Sequence, residues 1–232
     1  MTDGTHGGTT LMTGIIPYGT HGQYPVYDGR KYTYFFQSED GGNNRLGPVD
    51  METMTFEALT SLPSSSYAEF CRPCFQNDRI YALDSDYHVR EYNVETNSWR
   101  TTRITAPTKG YLLADPADPN FIYCLCSDSR GLFSMDLAKE SISHVCDTPS
   151  NFSLGANGEA VLVRVKPLEF LIFAYLSGWH VYSSESKRWA PIPNWRETRN
   201  GSGHFLICPE GPRAFYHVDG SDKWDTVNLR EE

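Results

Sequence analysis

Two carboxylates facing one pocket suffice for glycosidic hydrolysis, one kept protonated as general acid and the other ionised as base or nucleophile. Glu69, Asp115 and Glu159 lie on or beside short apolar runs and are the candidates for such channel carboxylates. Their spacing carries no pattern of its own, so no catalytic role is assigned to them. Thiolate binding of zinc is a second possible chemistry, and Cys71-Arg72-Pro73-Cys74 has a spacing that zinc accepts. Cys124-Leu125-Cys126, however, separates its thiols by one residue on a β-run. The six cysteines are therefore read as mostly free thiols filling space, and neither a metal nor a cofactor is expected. The seven histidines are scattered without an HxH or HxxxH cluster, and no GxxxxGK[ST] phosphate loop occurs.

The elements that would position these residues are short. Runs of strand composition alternate with Gly, Pro, Asn, Asp and Ser, and no segment keeps a helical period over 12 residues or more. The chain reads as all-β. Its 232 residues allow one large domain or two small ones, and an aromatic content of 13% against 21% charged residues excludes an acidic disordered chain. A formal charge of -9 gives no footprint for nucleic acid or anionic lipid, so neither partner is expected. The longest apolar stretch, residues 170–176, is far short of the roughly 18 needed to span a bilayer. With no basic, apolar leader at the start of the sequence either, a cytoplasmic protein is expected.

A period underlies the pattern. Aromatic-rich runs anchored at Tyr34, Tyr81, Tyr123, Ile172 and Tyr216 are separated by 47, 42, 49 and 44 residues, each preceded by a turn cluster and another apolar run. The mean, about 46, lies in the range of repeat architectures. A second anchor, a bulky residue opening a strand that ends near proline, recurs at Leu11, Phe56, Trp99, Ile142 and Trp189, spaced 45, 43, 43 and 47. The last repeat lacks this strand, because Trp224 matches the third-strand position of Trp179. Residues 10–16 are the expected replacement, closing a ring and protecting its edges. The expectation is a single five-bladed β-propeller of four-stranded antiparallel blades over residues 1–232, with repeats at 18–66, 67–108, 109–150, 151–200, and 201–232 together with 9–17.

Ile80-Tyr81-Ala82-Leu83 followed by residues 89–99, which run from Val89 to Trp99 with Tyr92 before the turn, resembles a kelch repeat. In that family a tyrosine and a tryptophan flank the turn between third and fourth strands, and residues 179–189 form a second, looser copy. The second-strand diglycine of the family is missing, since Gly41-Gly42 falls in an expected loop. The resemblance implies a propeller serving as an interaction module.

Propellers usually bind through the loops between blades and those joining second to third strands. Here these are residues 18–24, 38–45, 64–67, 84–88, 127–130, 151–158, 177–179 and 194–203. They contain His21, Tyr24, Arg45, Tyr67, Tyr87, Arg130, Trp179, Trp195, Arg196 and Arg199, an aromatic and arginine set of the kind that forms binding hot spots. The competing use of the same side chains is to lock neighbouring blades together or to remain solvated. The resulting reading is a non-catalytic scaffold for a protein or peptide partner. A carbohydrate-binding propeller and a glycoside hydrolase using the three carboxylates are the alternatives.

Overall fold

Where the strands stop is decided by short polar side chains that fold back on their own backbone. Asn93 Oδ1 accepts from the amides of Glu95 and Thr96, at 2.9 and 3.1 Å. Asp136 does the same for Ala138 and Lys139, at 3.1 and 2.9 Å, and Asp50 for Glu52 and Thr53, at 2.9 and 3.2 Å. Ser183 Oγ accepts from Ser186 N at 3.3 Å. Such Asx and Ser turns satisfy amides that a ladder would otherwise hold, and so end it. In three of these turns a non-glycine residue then takes a positive φ before the next strand begins: Asn97 at 50°, Glu140 at 50° and Lys187 at 56°.

The computed structural model describes residues 26–28, 30–37, 45–53, 55, 60–61, 72–115, 117–127, 131–149, 160–167, 169–175, 179–191, 205–207, 213–217 and 224–228. They form five antiparallel sheets. The first holds β1 (Val26–Tyr27), β2 (Tyr32–Gln37), β3 (Arg45–Asp50) and β4 (Thr60–Ser61). In the second are β5 (Cys74–Gln76), β6 (Arg79–Leu83), β7 (His88–Asn93) and β8 (Ser98–Thr105). The third contains β9 (Gly110–Ala114), β10 (Phe121–Cys126), β11 (Gly131–Asp136) and β12 (Ser141–Cys146), and the fourth β13 (Ala160–Lys166), β14 (Glu169–Tyr175), β15 (Trp179–Ser183) and β16 (Arg188–Pro191). Within each sheet the strands lie in chain order. A three-stranded sheet follows, β17 (Phe205–Ile207), β18 (Arg213–His217) and β19 (Trp224–Asn228), also in chain order.

Successive sheets stack face to face, with their first strands adjacent: β1 lies against β5, β5 against β9, and β9 against β13. Just before β5 the chain makes a parallel bridge from Arg72 to Tyr111, and Leu112 N donates to Arg72 O at 3.0 Å. Side-chain alternation along each strand then feeds two cores. On β6, Ile80 and Ala82 pack with Val26, Tyr34 and Leu46 of the first sheet, while Tyr81 and Leu83 pack with Leu112, Ile122, Cys124 and Met135 of the third. On β9 and β10, Tyr111, Leu113 and Leu125 turn the other way, onto Leu162, Phe170, Ile172 and Tyr182 of the fourth. A sheet buried on both faces needs apolar residues at consecutive positions, and the run Ile80-Tyr81-Ala82-Leu83 supplies them.

The arrangement is that of an all-β propeller built from antiparallel four-stranded blades. All five second-strand anchors fall on second strands: Tyr34 on β2, Tyr81 on β6, Tyr123 on β10, Ile172 on β14 and Tyr216 on β18. Among the other anchors, Trp99, Ile142 and Trp189 stand opposite Tyr92, Met135 and Tyr182 in register. The Tyr92 and Trp99 ring centroids are 5.0 Å apart and those of Tyr182 and Trp189 5.4 Å. Trp224 opens β19, a third strand, paired with His217. Residues 10–16, expected to complete the last blade, and Phe56, the fourth-strand anchor of the first, lie outside the described residues. Two residues of the expected loop face begin strands, Trp179 at the third-strand position that its repeat implies. Arg45 opens β3 opposite Gln37 and Ser61, and Trp179 opens β15 opposite Tyr175. In each case the apolar, alternating residues that follow extend the ladder back by one residue.

Gly131 marks the entry to β11 with φ of 107°, and a Cβ there would run into the Cys146 carbonyl. Replacing it by alanine combines backbone strain with a backbone clash, so Gly131→Ala is expected to lower stability by about 2 kcal/mol in urea denaturation. An unchanged midpoint would contradict this. Burial raises the phenols of Tyr34, Tyr123 and Tyr182 to about 12 from an ordinary 10.0. The unfolded chain ionises first, so stability is full below pH 10 and falls as the pH climbs towards 12. Urea melts across that window, with phenolate absorbance followed in parallel, should show late-titrating tyrosines; ionisation of every tyrosine near its ordinary value would refute the assignment.

Candidate functional site

A charged residue in the middle of a strand whose two faces are both covered must bring its own partners. Glu91 is such a residue: β7 presents Val89 and Glu91 to the third sheet, and the Glu91 side chain is only 5% exposed. Register places Tyr81 opposite it on β6 and Arg100 opposite it on β8. Arg79 Nη1 donates to Glu91 Oε1 at 2.9 Å and Arg100 Nη2 to Oε2 at 2.5 Å. A second N–H of Arg100 goes to Glu140 Oε1, on the β11–β12 turn of the third sheet, and Arg103 N donates to Glu140 Oε2 at 3.0 Å. The bonds from Glu91 first, then Glu140, hold the Arg100 guanidinium well above its ordinary range. Arg100 in turn, followed by the Arg103 amide, pulls the Glu140 carboxyl down.

These groups line a groove of about 430 Å³ between the second and third sheets, a volume that suits a small molecule or one or two side chains. It opens where the β5–β6, β7–β8, β9–β10 and β11–β12 turns gather, with Arg79, Tyr81, Glu91 and Arg100 on one wall and Pro119, Leu137 and Ala138 on the other. Asn77 and Asn120 stand at its mouth. This is the end opposite the loops joining second to third strands, where the sequence reading placed its ligand face. The signal for the groove was nevertheless present, because an acid amid apolar alternation in Val89-Arg90-Glu91-Tyr92 implies a partnered charge. Which arginines it pairs with required the register.

On the expected loop face, Tyr87 is the binding candidate whose side chain is described. It sits on the β6–β7 turn at φ of 65°, with its amide donating to Asp84 O at 3.0 Å and its carbonyl accepting from Ala106 N at 2.9 Å. Asp84 organises that turn, accepting from Asp86 N, His88 N and Arg90 Nε at 3.0, 2.9 and 2.8 Å. The Tyr87 ring is half-buried against the core shared by the second and third sheets. Arg45 and Trp179 are placed by their strands as given above. His21, Tyr24, Tyr67, Arg130, Trp195, Arg196 and Arg199 lie outside the described residues, as do Glu69 and Glu159.

Asp115 follows β9 directly and its side chain is 1% exposed. Arg164 Nε donates to Oδ1 at 2.8 Å, and Arg164 Nη2 pairs with Oδ2. The Asp115 carbonyl accepts from Gln76 Nε2 at 2.8 Å, and the Arg164 guanidinium lies 5.3 Å over the Phe170 ring. One residue thus joins the second, third and fourth sheets. Both carboxylate oxygens are thus engaged by a single guanidinium fork. Cys74, Cys124 and Cys126 are buried in a single core, with the Cys124 and Cys126 sulfurs 3.6 Å apart. Burial pushes the Cys74 thiol up. Among the described residues, no three His, Cys, Asp or Glu side chains gather as metal ligands.

No protein-family model matches the chain, and no curated protein matches it in sequence. Solved structures do match. One is the extracellular domain of a putative hybrid two-component system from B. thetaiotaomicron, with 14% identity, a TM-score of 0.59, and 93% of this chain and 29% of that chain covered. Another is the β-propeller domain of Cps50 (Swd1) from Myceliophteria thermophila, at 9% identity and TM-score 0.53 over 88% of this chain and 64% of that one. The shared fold is the β-propeller. An oligogalacturonate lyase from Vibrio parahaemolyticus has it too, at 11% identity and TM-score 0.57, with 94% of this chain and 64% of the lyase covered. The chain therefore spans from 29% to 64% of the length of these three neighbours, and at such identities the likeness is one of fold.

Because the propeller's sheets are clipped together through Asp115, Arg164→Met should be costly. It leaves a buried carboxylate without its partner, a loss expected to be about 3 kcal/mol in urea denaturation. Adding Asp115→Asn should recover part of that loss. Additive effects of the two substitutions would show that the pair is not coupled.

Proposed function

We propose that the chain is a non-catalytic binding scaffold, a kelch-like five-bladed propeller presenting loops to a protein or peptide partner. What supports the reading is a constant framework carrying variable loops. The turns after Asn93, Asp136 and Ser183 each have a side-chain oxygen accepting from the amide three residues on and one positive-φ residue, whereas the connections between sheets differ in length and sequence, from four residues between β8 and β9 to thirteen between β12 and β13. A rigid frame with divergent loops suits recognition, since loop changes leave the core untouched. On this reading the three-stranded sheet β17–β19 is the fifth blade, and residues 10–16 lie along β19 as its fourth strand. The loop-face set, including Tyr87, Arg130, Trp195, Arg196 and Arg199, makes the contact through aromatic area and arginine donors.

Panning a phage-displayed peptide library on the full chain tests this. The expected result is an enriched peptide whose affinity falls tenfold or more in Arg130→Ala or Arg196→Ala, with the melting temperature kept. Recovery of no peptide, together with specific binding on a glycan array, would replace the reading with a carbohydrate-binding propeller.

A further inference from the structure

The groove between the second and third sheets has a donor wall and an apolar wall. A guanidinium carries five N–H groups. The ion pairs above engage one from Arg79 and two from Arg100, and the side chains are 37% and 50% exposed. Both guanidinium groups thus line the groove beside a buried carboxylate, whose two oxygens are already shared between them. Glu91 acts here as a positioning residue, drawing two like-charged side chains together and fixing their planes. Facing them are Pro119, Leu137 and Ala138, which offer no side-chain donor or acceptor. The lining holds two guanidinium groups and the Glu91 carboxylate, with Glu140 pairing Arg100 just outside it.

From this geometry we infer that the groove is a second docking site, at the end opposite the loop face, for a peptide segment whose Asp or Glu side chain is bound by Arg79 and Arg100 while an adjacent apolar residue covers Pro119 and Leu137. A carboxylate matches the planar donor fork in a way that an amide or hydroxyl does not. The two sheets hold the arginines before the ligand arrives, so little side-chain order is lost on binding. This rests on the binding-scaffold reading but uses neither its loops nor its residues.

The experiment is a parallel selection of phage-displayed dodecapeptides on the full chain and on Arg79→Gln, followed by fluorescence anisotropy of the labelled winners. Peptides lost on Arg79→Gln should share an Asp or Glu. Their affinity should fall tenfold or more when that acid is replaced by its amide, weaken as salt is raised, and stay unchanged in Arg130→Ala. Arg79→Lys, which keeps a partner for Glu91 and therefore the fold, should give a smaller loss, because it retains charge without the fork. Equal recovery of all peptides on the native chain and Arg79→Gln overturns the proposal, as does an Arg79-dependent pool without a common acid. If loop-face peptides sensitive to Arg130→Ala are still recovered, only the groove fails. Recovery of no peptide at all overturns the scaffold reading with it.

Discussion

Everything in this propeller depends on sheets that bury both faces. An isolated four-stranded sheet must cover one face with something else. Here the second and third sheets are each covered twice, by the sheet before and the sheet after. Alternation then serves two cores at once, as β6 does with Ile80 and Ala82 on one side and Tyr81 and Leu83 on the other. Side chains such as Ile80, Tyr92, Tyr111 and Ile122 are withdrawn from water completely, each worth about 1.5–3 kcal/mol relative to exposure. Stacking of this kind also explains the aromatic richness of the chain. The Tyr92–Trp99 and Tyr182–Trp189 pairs add large rings on the third and fourth strands of their sheets.

The charged groups follow from the same constraint. A carboxylate that ends up between two sheets has lost its water and survives only with partners that reach across. Asp115 is tied to Arg164 of the next sheet, and Glu91 to Arg79 and Arg100 of its own sheet, with Arg100 continuing to Glu140 of the neighbour. Such bridges add little net stability compared with apolar packing, but they are selective: a sheet displaced by one residue would strand a buried charge. They also leave polar surface where adjacent sheets part, and the groove beside Glu91 is that surface.

Much of the fold was legible in the chain because a strand repeat writes itself as a period. Five second strands, the hairpin turns before them and the third-strand position of Trp224 follow from spacing alone. The candidate site was legible to a much smaller degree. Asp115 has the residue type and position of a channel carboxylate, and nothing in its neighbourhood in sequence announces Arg164, which is 49 residues away. Arg45 reads as a loop residue because a polar, glycine-containing segment precedes it, yet pairing partners extend the strand to include it.

The sequence by itself determined the local events: which residues alternate, where an Asn, Asp or Ser folds back to end a strand, and how far apart equivalent strands must fall. These are interactions over a few residues, and residue type decides them. Tertiary structure decided which charges meet. Pairing between strands sets Glu91 opposite Arg100, stacking between sheets brings Arg100 to Glu140 and Arg164 to Asp115, and both depend on register and twist that no short stretch encodes. For that reason the chain announces a propeller through its period, while the groove between its second and third sheets becomes visible only when those sheets are in place.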